Sequence, residues 1–168
     1  DAAAYNVTAL GNTAATLNVG SGDMAVMECL QPGDEVLLIN LQGTTAYYEN
    51  TGLYEFLRVE SINGSIVYFT DPKVNWYGSG FRSDSNIGIG SGQQRVMLMR
   101  VPNYASVRVD GTLTANAWDG NRFGVLVFRV NGELSGSGSI TVDKLGYRGG
   151  ETYAGITGGY GAGGRGDV

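Results

Sequence analysis

The chain has 168 residues, of which 28 are glycine and none is histidine; glycine stands at more than twice its usual share of about 7%. Charged residues make up only 16%, the net charge is −5, and hydrophobic residues make up 42%. This excludes wholesale disorder, every nucleophile or zinc site that needs histidine, and, with Cys29 as the lone cysteine, any disulfide within the chain. Nine arginines and two lysines (Lys73, Lys144) are scattered as single charges, which disfavours nucleic acid as a partner. No stretch approaches the roughly 18 apolar residues of a membrane span. A chain of this size buries roughly 70% of its unfolded surface, so one globular unit suffices. Opening at Asp1 with neither methionine nor a basic-then-apolar leader, it is expected to be a processed or excised segment.

In chain order, residues 2–19 are small, threonine-rich and weakly alternating. Two readings stand. One is an extended arm that another copy accepts as an added strand, with Ala4, Tyr5, Val7, Leu10, Leu17 and Val19 as its contacts. The other is an ordinary first strand. Residues 23–30 (DMAVMECL) suit one short helical turn with Asp23 as N-cap and Cys29 as a small buried apolar residue. Strands are expected at 36–41 (VLLINL), 54–60 (YEFLRVE), 66–70 (IVYFT) and 95–101 (RVMLMRV). Asn63-Gly64 between two apolar runs predicts a hairpin joining 54–60 to 66–70.

The connection 71–94 is long for a compact domain and carries Trp76, Tyr77 and Phe81. It reads either as a loop pinned by its own aromatics or, with Trp118, as a set of sugar-stacking rings: Trp76, Tyr77 and Trp118. Beyond residue 101 the pattern changes. VDGTLTA (109–115) recurs as VNGELSG (130–136), an offset of 21, with a looser third turn at 138–146. Such spacing suits a β-solenoid, with Val107 and Val109, Val125 and Val127, and Ile140 and Val142 stacked inside. An antiparallel meander turning at Asp110-Gly111 and Asn131-Gly132 remains the alternative. The tail, 146–168, holds 10 glycines in 23 residues. It is either a flexible end or an ordered segment packed on another chain through Tyr147, Tyr153 and Tyr160.

Carboxylates are the remaining catalytic currency. Candidate pairs are Asp34/Glu35, Glu55/Glu60 and Asp110/Asp119, with Asp143 alone. Glu55 and Glu60 fall on opposite faces of a strand, and the others sit at turns where aspartate bonds the backbone, so no catalytic residue is expected. Ser83-Asp84-Ser85-Asn86 and Asp119-Gly120-Asn121 offer oxygen ligands, making Asp84, Asn86, Asp119 and Asn121 the calcium candidates, although neither segment matches an EF-hand loop or the Gly-Gly-x-Gly-x-Asp nonapeptide. Arg165-Gly166-Asp167, and the sequons Asn6-Val7-Thr8 and Asn63-Gly64-Ser65, are short enough to arise by chance.

Several motifs in 94–150 form a recognisable series: Val101-Pro102-Asn103-Tyr104, Gly111-Thr112-Leu113-Thr114, Ala117-Trp118-Asp119-Gly120, the apolar run 125–130, and Gly146-Tyr147-Arg148-Gly149-Gly150. The series resembles a segment of large secreted bacterial surface proteins, among them adventurous gliding-motility proteins, and 33–56 resembles the small β lobe that precedes it. The resemblance implies an extracellular β-rich module and brings no catalytic residues. The expectation is therefore an all-β protein: an antiparallel lobe, barrel- or sandwich-like, over 1–100 with its arm at 1–19, a solenoid- or sandwich-like part over 101–145, and a Gly/Tyr tail over 146–168. The expected function is a structural subunit of a surface filament or an adhesive module, needing no cofactor, with copies of itself as partner and surface polysaccharide as a further one. A carbohydrate-binding module and a virus tail-fibre domain are the alternatives, with a polysaccharide-cleaving β-helix enzyme last.

Overall fold

A computed structural model describes residues 2–20 and 25–147. The chain is all-β, with one four-residue helical turn. Six strands make the first part: β1 Ala4–Leu10, β2 Ala14–Asn18, β3 Glu35–Gln42, β4 Tyr54–Asn63, β5 Ile66–Phe69 and β6 Arg95–Arg100. They close into an antiparallel barrel in the order β1-β2-β5-β4-β3-β6, with β1 returning to β6. The helical turn, α1 at Val26–Cys29, follows Ala25, whose N–H donates to the Glu28 carboxylate. The expected cap, Asp23, lies outside the described residues. Cys29 is half-buried against the barrel interior.

Inward side chains alternate along each strand as the pleat requires. Tyr5 and Val7, Ala15 and Leu17, Val36 and Leu38, Leu57 and Val59, Val67 and Phe69, and Val96 and Leu98 fill the barrel. The expected hairpin forms between β4 and β5, but its turn lies one residue later than Asn63-Gly64. Asn63 pairs with Ile66, and Gly64-Ser65 are the central residues. Gly64 takes φ 59° and Ser65 has no positive φ, the form in which only the first central position must be glycine.

The N-terminal arm is not extended away from the domain. β1 pairs with β2 and β6, and β2 pairs with β1 and β5. Ala4, Tyr5, Val7 and Leu17 are buried, Leu10 is half-buried, and only Val19 is exposed. These side chains alternate onto faces that the same chain buries, so a strand placed here gains more by closing the barrel than by staying free.

The second part consists of six two-residue strands: β7 Asn103–Tyr104, β8 Val107–Arg108, β9 Thr112–Leu113, β10 Arg129–Val130, β11 Leu134–Ser135 and β12 Ser139–Ile140. They pair in parallel as β7–β10, β8–β11 and β9–β12. Arg129 lies beside Asn103, Leu134 beside Val107 and Ser139 beside Thr112. The pairing repeats at 26–27 residues, so these are two successive coils of a three-sided solenoid. The meander is thereby excluded, and the expected offset of 21 is corrected. VDGTLTA and VNGELSG occupy neighbouring sides of successive coils, one side short of a full turn. A short motif reports a side, not a coil, because every side needs the same turn-then-strand chemistry.

Glycine permits the coils to touch. A Cβ at Gly136 would overlap the Val109 carbonyl, one at Gly138 the Gly111 carbonyl, and one at Gly132 the Ala105 carbonyl. Inter-coil bonds run from Val107 N–H to Glu133 O (2.9 Å), Val109 N–H to Ser135 O (2.8 Å), Ser139 N–H to Gly111 O (2.9 Å) and Thr141 N–H to Leu113 O (3.0 Å).

The excursion 116–128 lays Trp118, Phe123, Val125 and Val127 over the outer face of the barrel, against Ala4, Leu41, Met97 and Met99. This explains why VLLINL, apart from Asn40, and VMLM are apolar on both faces: β3 and β6 are covered on both sides. It also corrects the placement of Val125 and Val127, which pack on this seam. Two bidentate ion pairs flank it, Arg129 with Glu35 at 2.6 Å and Arg100 with Asp34 at 3.0 and 3.1 Å. Both arginines are substantially exposed, so solvent screening leaves such pairs little net stabilisation. Burial of Leu41, Met97 and Met99 is worth about 1.5–3 kcal/mol per side chain, so the apolar seam, not the ion pairs, holds the two parts together.

Candidate functional site

Two places have unspent binding capacity. The first is a groove of about 590 Å³ between the β1–β2 turn and the loop 71–94, lined by Leu10, Gly11, Asn12, Lys73, Trp76, Asp84 and Ser85. The loop is rigid for identifiable reasons. Tyr77 is fully buried; its hydroxyl donates to Glu55 Oε1 (2.8 Å), its N–H donates to Asp84 Oδ1 (3.0 Å), and its carbonyl accepts from Asn40 Nδ2 (2.8 Å). Burial, reinforced by Glu55, pushes its phenol well above the ordinary tyrosine range. Glu55 also accepts the N–H groups of Val74 and Asn75. Tyr77 therefore anchors the loop, and its ring has no face left for a sugar, which corrects the stacking assignment. Phe81, at 91% exposed, stands outside the loop's interior, with the Arg82 guanidinium 5.3 Å from its ring centre.

Lys73 is the residue that composition could not reveal. Its side chain is buried, with Nζ 2.6 Å from Asp84 Oδ2, 2.9 Å from the Asn75 carbonyl and 4.4 Å from the centre of the Trp76 ring. The ammonium covers the inner face of the indole, while Trp76 keeps 39% of its surface exposed.

The second place is the open end of the solenoid. Leu134 and Ile140 continue the apolar ladder of Val107 and Leu113 but remain 51% and 46% exposed, and Val142 is exposed beside them. Beneath lies a hollow of about 550 Å³ bounded by Met99, Val107, Leu113, Phe123, Val125 and Val127. Val107 and Leu113 are themselves only half-buried. No described residue stacks on the second coil.

The other sequence candidates are dispersed. Trp118 is half-buried in the seam with Tyr147 edge-on at 6.5 Å, so it lies apart from Trp76 and offers no shared platform. Tyr147, expected as an assembly contact, packs against the same seam; Tyr153, Tyr160 and Arg165-Gly166-Asp167 lie outside the described residues. The calcium candidates are engaged within the chain. Asp84 holds Lys73, and Asn86 Nδ2 donates to Ser79 Oγ and the Gly92 carbonyl. Asp119 Oδ1 accepts the N–H groups of Asn121 and Arg122, and the Asn121 carbonyl accepts from Asn6. Among the described residues, no three acidic or cysteine side chains converge as a metal site. The paired carboxylates are likewise split, with Asp34 on Arg100, Glu35 on Arg129, and Asp110 on Arg108. Asn6 is 5% exposed and bonded, so its sequon is closed to modification in the folded chain.

No family model matches this sequence, and no curated protein matches it. Among solved structures, the chain is similar to the Gp54 tailspike of Acinetobacter baumannii bacteriophage AP22, described in complex with A. baumannii capsular saccharide, with 15% identity over 82% of this chain and a TM-score of 0.34. The chain spans 22% of the length of that tailspike, and a likeness at this level carries no argument about function.

Proposed function

We propose that the chain is an architectural module of an extracellular or surface structural protein, in which the closed barrel caps one end of a parallel β-solenoid and the open coil receives the next. The supporting observation is the uncovered ladder: Leu134 and Ile140 each rest on a first-coil neighbour and have no described residue above them. Solenoid coils bury their apolar sides only against neighbours, and terminal units need an outer face that stops the stacking. The barrel supplies such a face, since closure leaves none of its strands with an open edge. A surface location accords with the resemblance of the 94–150 motifs to secreted bacterial surface proteins. The filament expectation narrows under this reading to contacts at the coils, since each of β7–β9 and β10–β12 pairs on one side alone among the described residues while the barrel is closed.

Light scattering over a concentration series, with electron microscopy of the same samples, tests this. Discrete particles of one or two copies are expected, and Leu134→Lys with Ile140→Lys should leave single copies at every concentration. Regular filaments of the unmodified chain would overturn the capping role.

A further inference from the structure

We infer that the groove beneath Trp76 is a binding site for a neutral saccharide, independent of the solenoid's architectural role. Three features of the site point to that chemistry.

The first is the ring. Trp76 is held from below by the Lys73 ammonium at 4.4 Å, and Lys73 is fixed in turn by Asp84 and the Asn75 carbonyl. The indole is thus exposed yet already positioned, so a ligand that packs on it need not order it. A flat apolar ring with one solvent-facing side suits the C–H face of a pyranose. The second is the polar edge. Asn12 sits in the β1–β2 turn with its carbonyl fixed by the Lys73 N–H (2.9 Å), and its exposed side chain borders the groove. Asp84 uses one lone pair of Oδ1 on the Tyr77 N–H and Oδ2 on Lys73. Each carboxylate oxygen can accept a second donor, which leaves room for a sugar hydroxyl. Ser85 lines the same wall, its hydroxyl bonded to Ser83 Oγ at 2.8 Å. Both donors and acceptors therefore border the ring, as a polyol requires. The third is charge. Lys73 and Asp84 neutralise one another at 2.6 Å, so the lining carries no net charge. A phosphate or a carboxylated sugar would find no free cation there, and a cationic ligand no free carboxylate. A volume of about 590 Å³ lies within the usual range for small-ligand sites, about 300–1,000 Å³.

Nuclear magnetic resonance on the full chain separates this reading from others, because only two indole N–H signals exist, from Trp76 and Trp118. The probes are short neutral oligosaccharides of glucose, galactose and N-acetylglucosamine, with glucuronate oligosaccharides as charged controls. At least one neutral probe should shift the Trp76 signal and leave Trp118 unmoved, with the glucuronates weaker. Trp76→Ala should weaken binding of that probe about ten-fold or more, and Asn12→Ala should weaken it several-fold while leaving the spectrum of the barrel unchanged. Should Trp76→Ala disturb the loop, Asn12→Ala and Trp76→Phe carry the test alone. No shift at Trp76 with any neutral probe at millimolar concentration would overturn the inference. So would binding that survives Trp76→Phe and Asn12→Ala undiminished, or a preference for the glucuronates. None of these outcomes bears on whether the coil end stacks.

Discussion

The contact between coils rests on close backbone-on-backbone approaches, and a single methyl group at one of them should open it there. Gly138 lies over Gly111, and a Cβ there would overlap the Gly111 carbonyl and stand 2.8 Å from its nitrogen. Both neighbours are main-chain atoms, so no side chain can rotate away. Restoring ordinary contact requires the strands to part by more than an ångström. Two hydrogen bonds flank the point, Gly138 N–H to Val109 O at 2.8 Å and Ser139 N–H to Gly111 O at 2.9 Å; stretched that far, neither survives as a bond. At about 1 kcal/mol net per bond, with a further penalty where a carbonyl is left unpaired, Gly138→Ala should cost the coil about 2–4 kcal/mol. Gly111→Ala is the matched control. A Cβ at Gly111 meets nothing within 4 Å, and its φ lies outside the left-handed region. Removing one unfolded-state glycine there should be neutral or stabilise by up to about 1 kcal/mol. Amide hydrogen exchange reads the difference directly. In Gly138→Ala the amides of Val109, Ser139 and Thr141 should lose protection, while those of β3 and β6 keep theirs. Equal protection in both variants would refute the close-approach argument, and with it the assignment of the coil spacing to 26–27 residues.

Three further perturbations follow from the geometry. Lys73→Met removes the partner of a largely buried Asp84. A broken buried pair typically costs about 3–5 kcal/mol, so thermal unfolding should shift down by several degrees and proteolysis should begin within 71–94; an unchanged melting temperature would remove Lys73 from the loop's support. Asn40→Ala leaves the Tyr77 carbonyl and Gln94 Oε1 without the amide that serves both. The expected loss is about 2–3 kcal/mol in denaturant unfolding, and a loss below about 0.5 kcal/mol would show that the pairing is replaceable. Acid should loosen the seam's polar flank. Hydrogen bonding from Arg129, with its charge, holds the Glu35 carboxyl below the ordinary value of 4.5. Glu35 therefore binds its proton more readily unfolded than folded; its contribution is complete above about pH 5 and fades as pH falls through the lowered folded value. The Arg129 Nε–H resonance should keep its position from neutrality to below pH 4.5 and then move, whereas in Glu35→Gln it should show no such transition.

The legible part of the fold was the part written in local chemistry. The apolar runs at 36–41, 66–70 and 95–101, and the glycine at the β4–β5 turn, each report their own strand or turn, and each is found within a residue or two. What the sequence could not report was which faces meet. VLLINL reads as a strand, but the agent covering its outer face, Phe123 and Val125 on a distant excursion, leaves no mark near it. The same limit explains the arm. A weakly alternating threonine-rich segment suits both a free donor strand and a barrel member, and only closure by β6 decides between them. At the groove, Trp76 was legible as an exposed aromatic in a long loop. Lys73 was not, because nothing in Asp71-Pro72-Lys73-Val74 says that the ammonium turns inward to Asp84, and Tyr77, a neighbour of Trp76 in sequence, points the opposite way.

The distribution of edges constrains how this chain can meet others. With only 16% charged residues, it has few charges with which to blunt exposed strands. The barrel solves the problem by closure, and each coil is paired on the side that meets the other. The outer edge of the second coil bears the exposed Leu134 and Ile140. Two copies could meet edge to edge about a two-fold axis, which pairs the coils antiparallel and closes the set at two. A true next coil would instead run parallel, in register, and extend the ladder without limit. The alternatives differ in the partner of one group: in a two-fold pair the protection of second-coil amides rises with protein concentration, whereas a parallel coil supplied by a longer polypeptide protects them at any dilution. Concentration-dependent protection confined to 129–142 would therefore identify the pair, and its absence in the isolated chain would leave the coil end as a seat for continued winding.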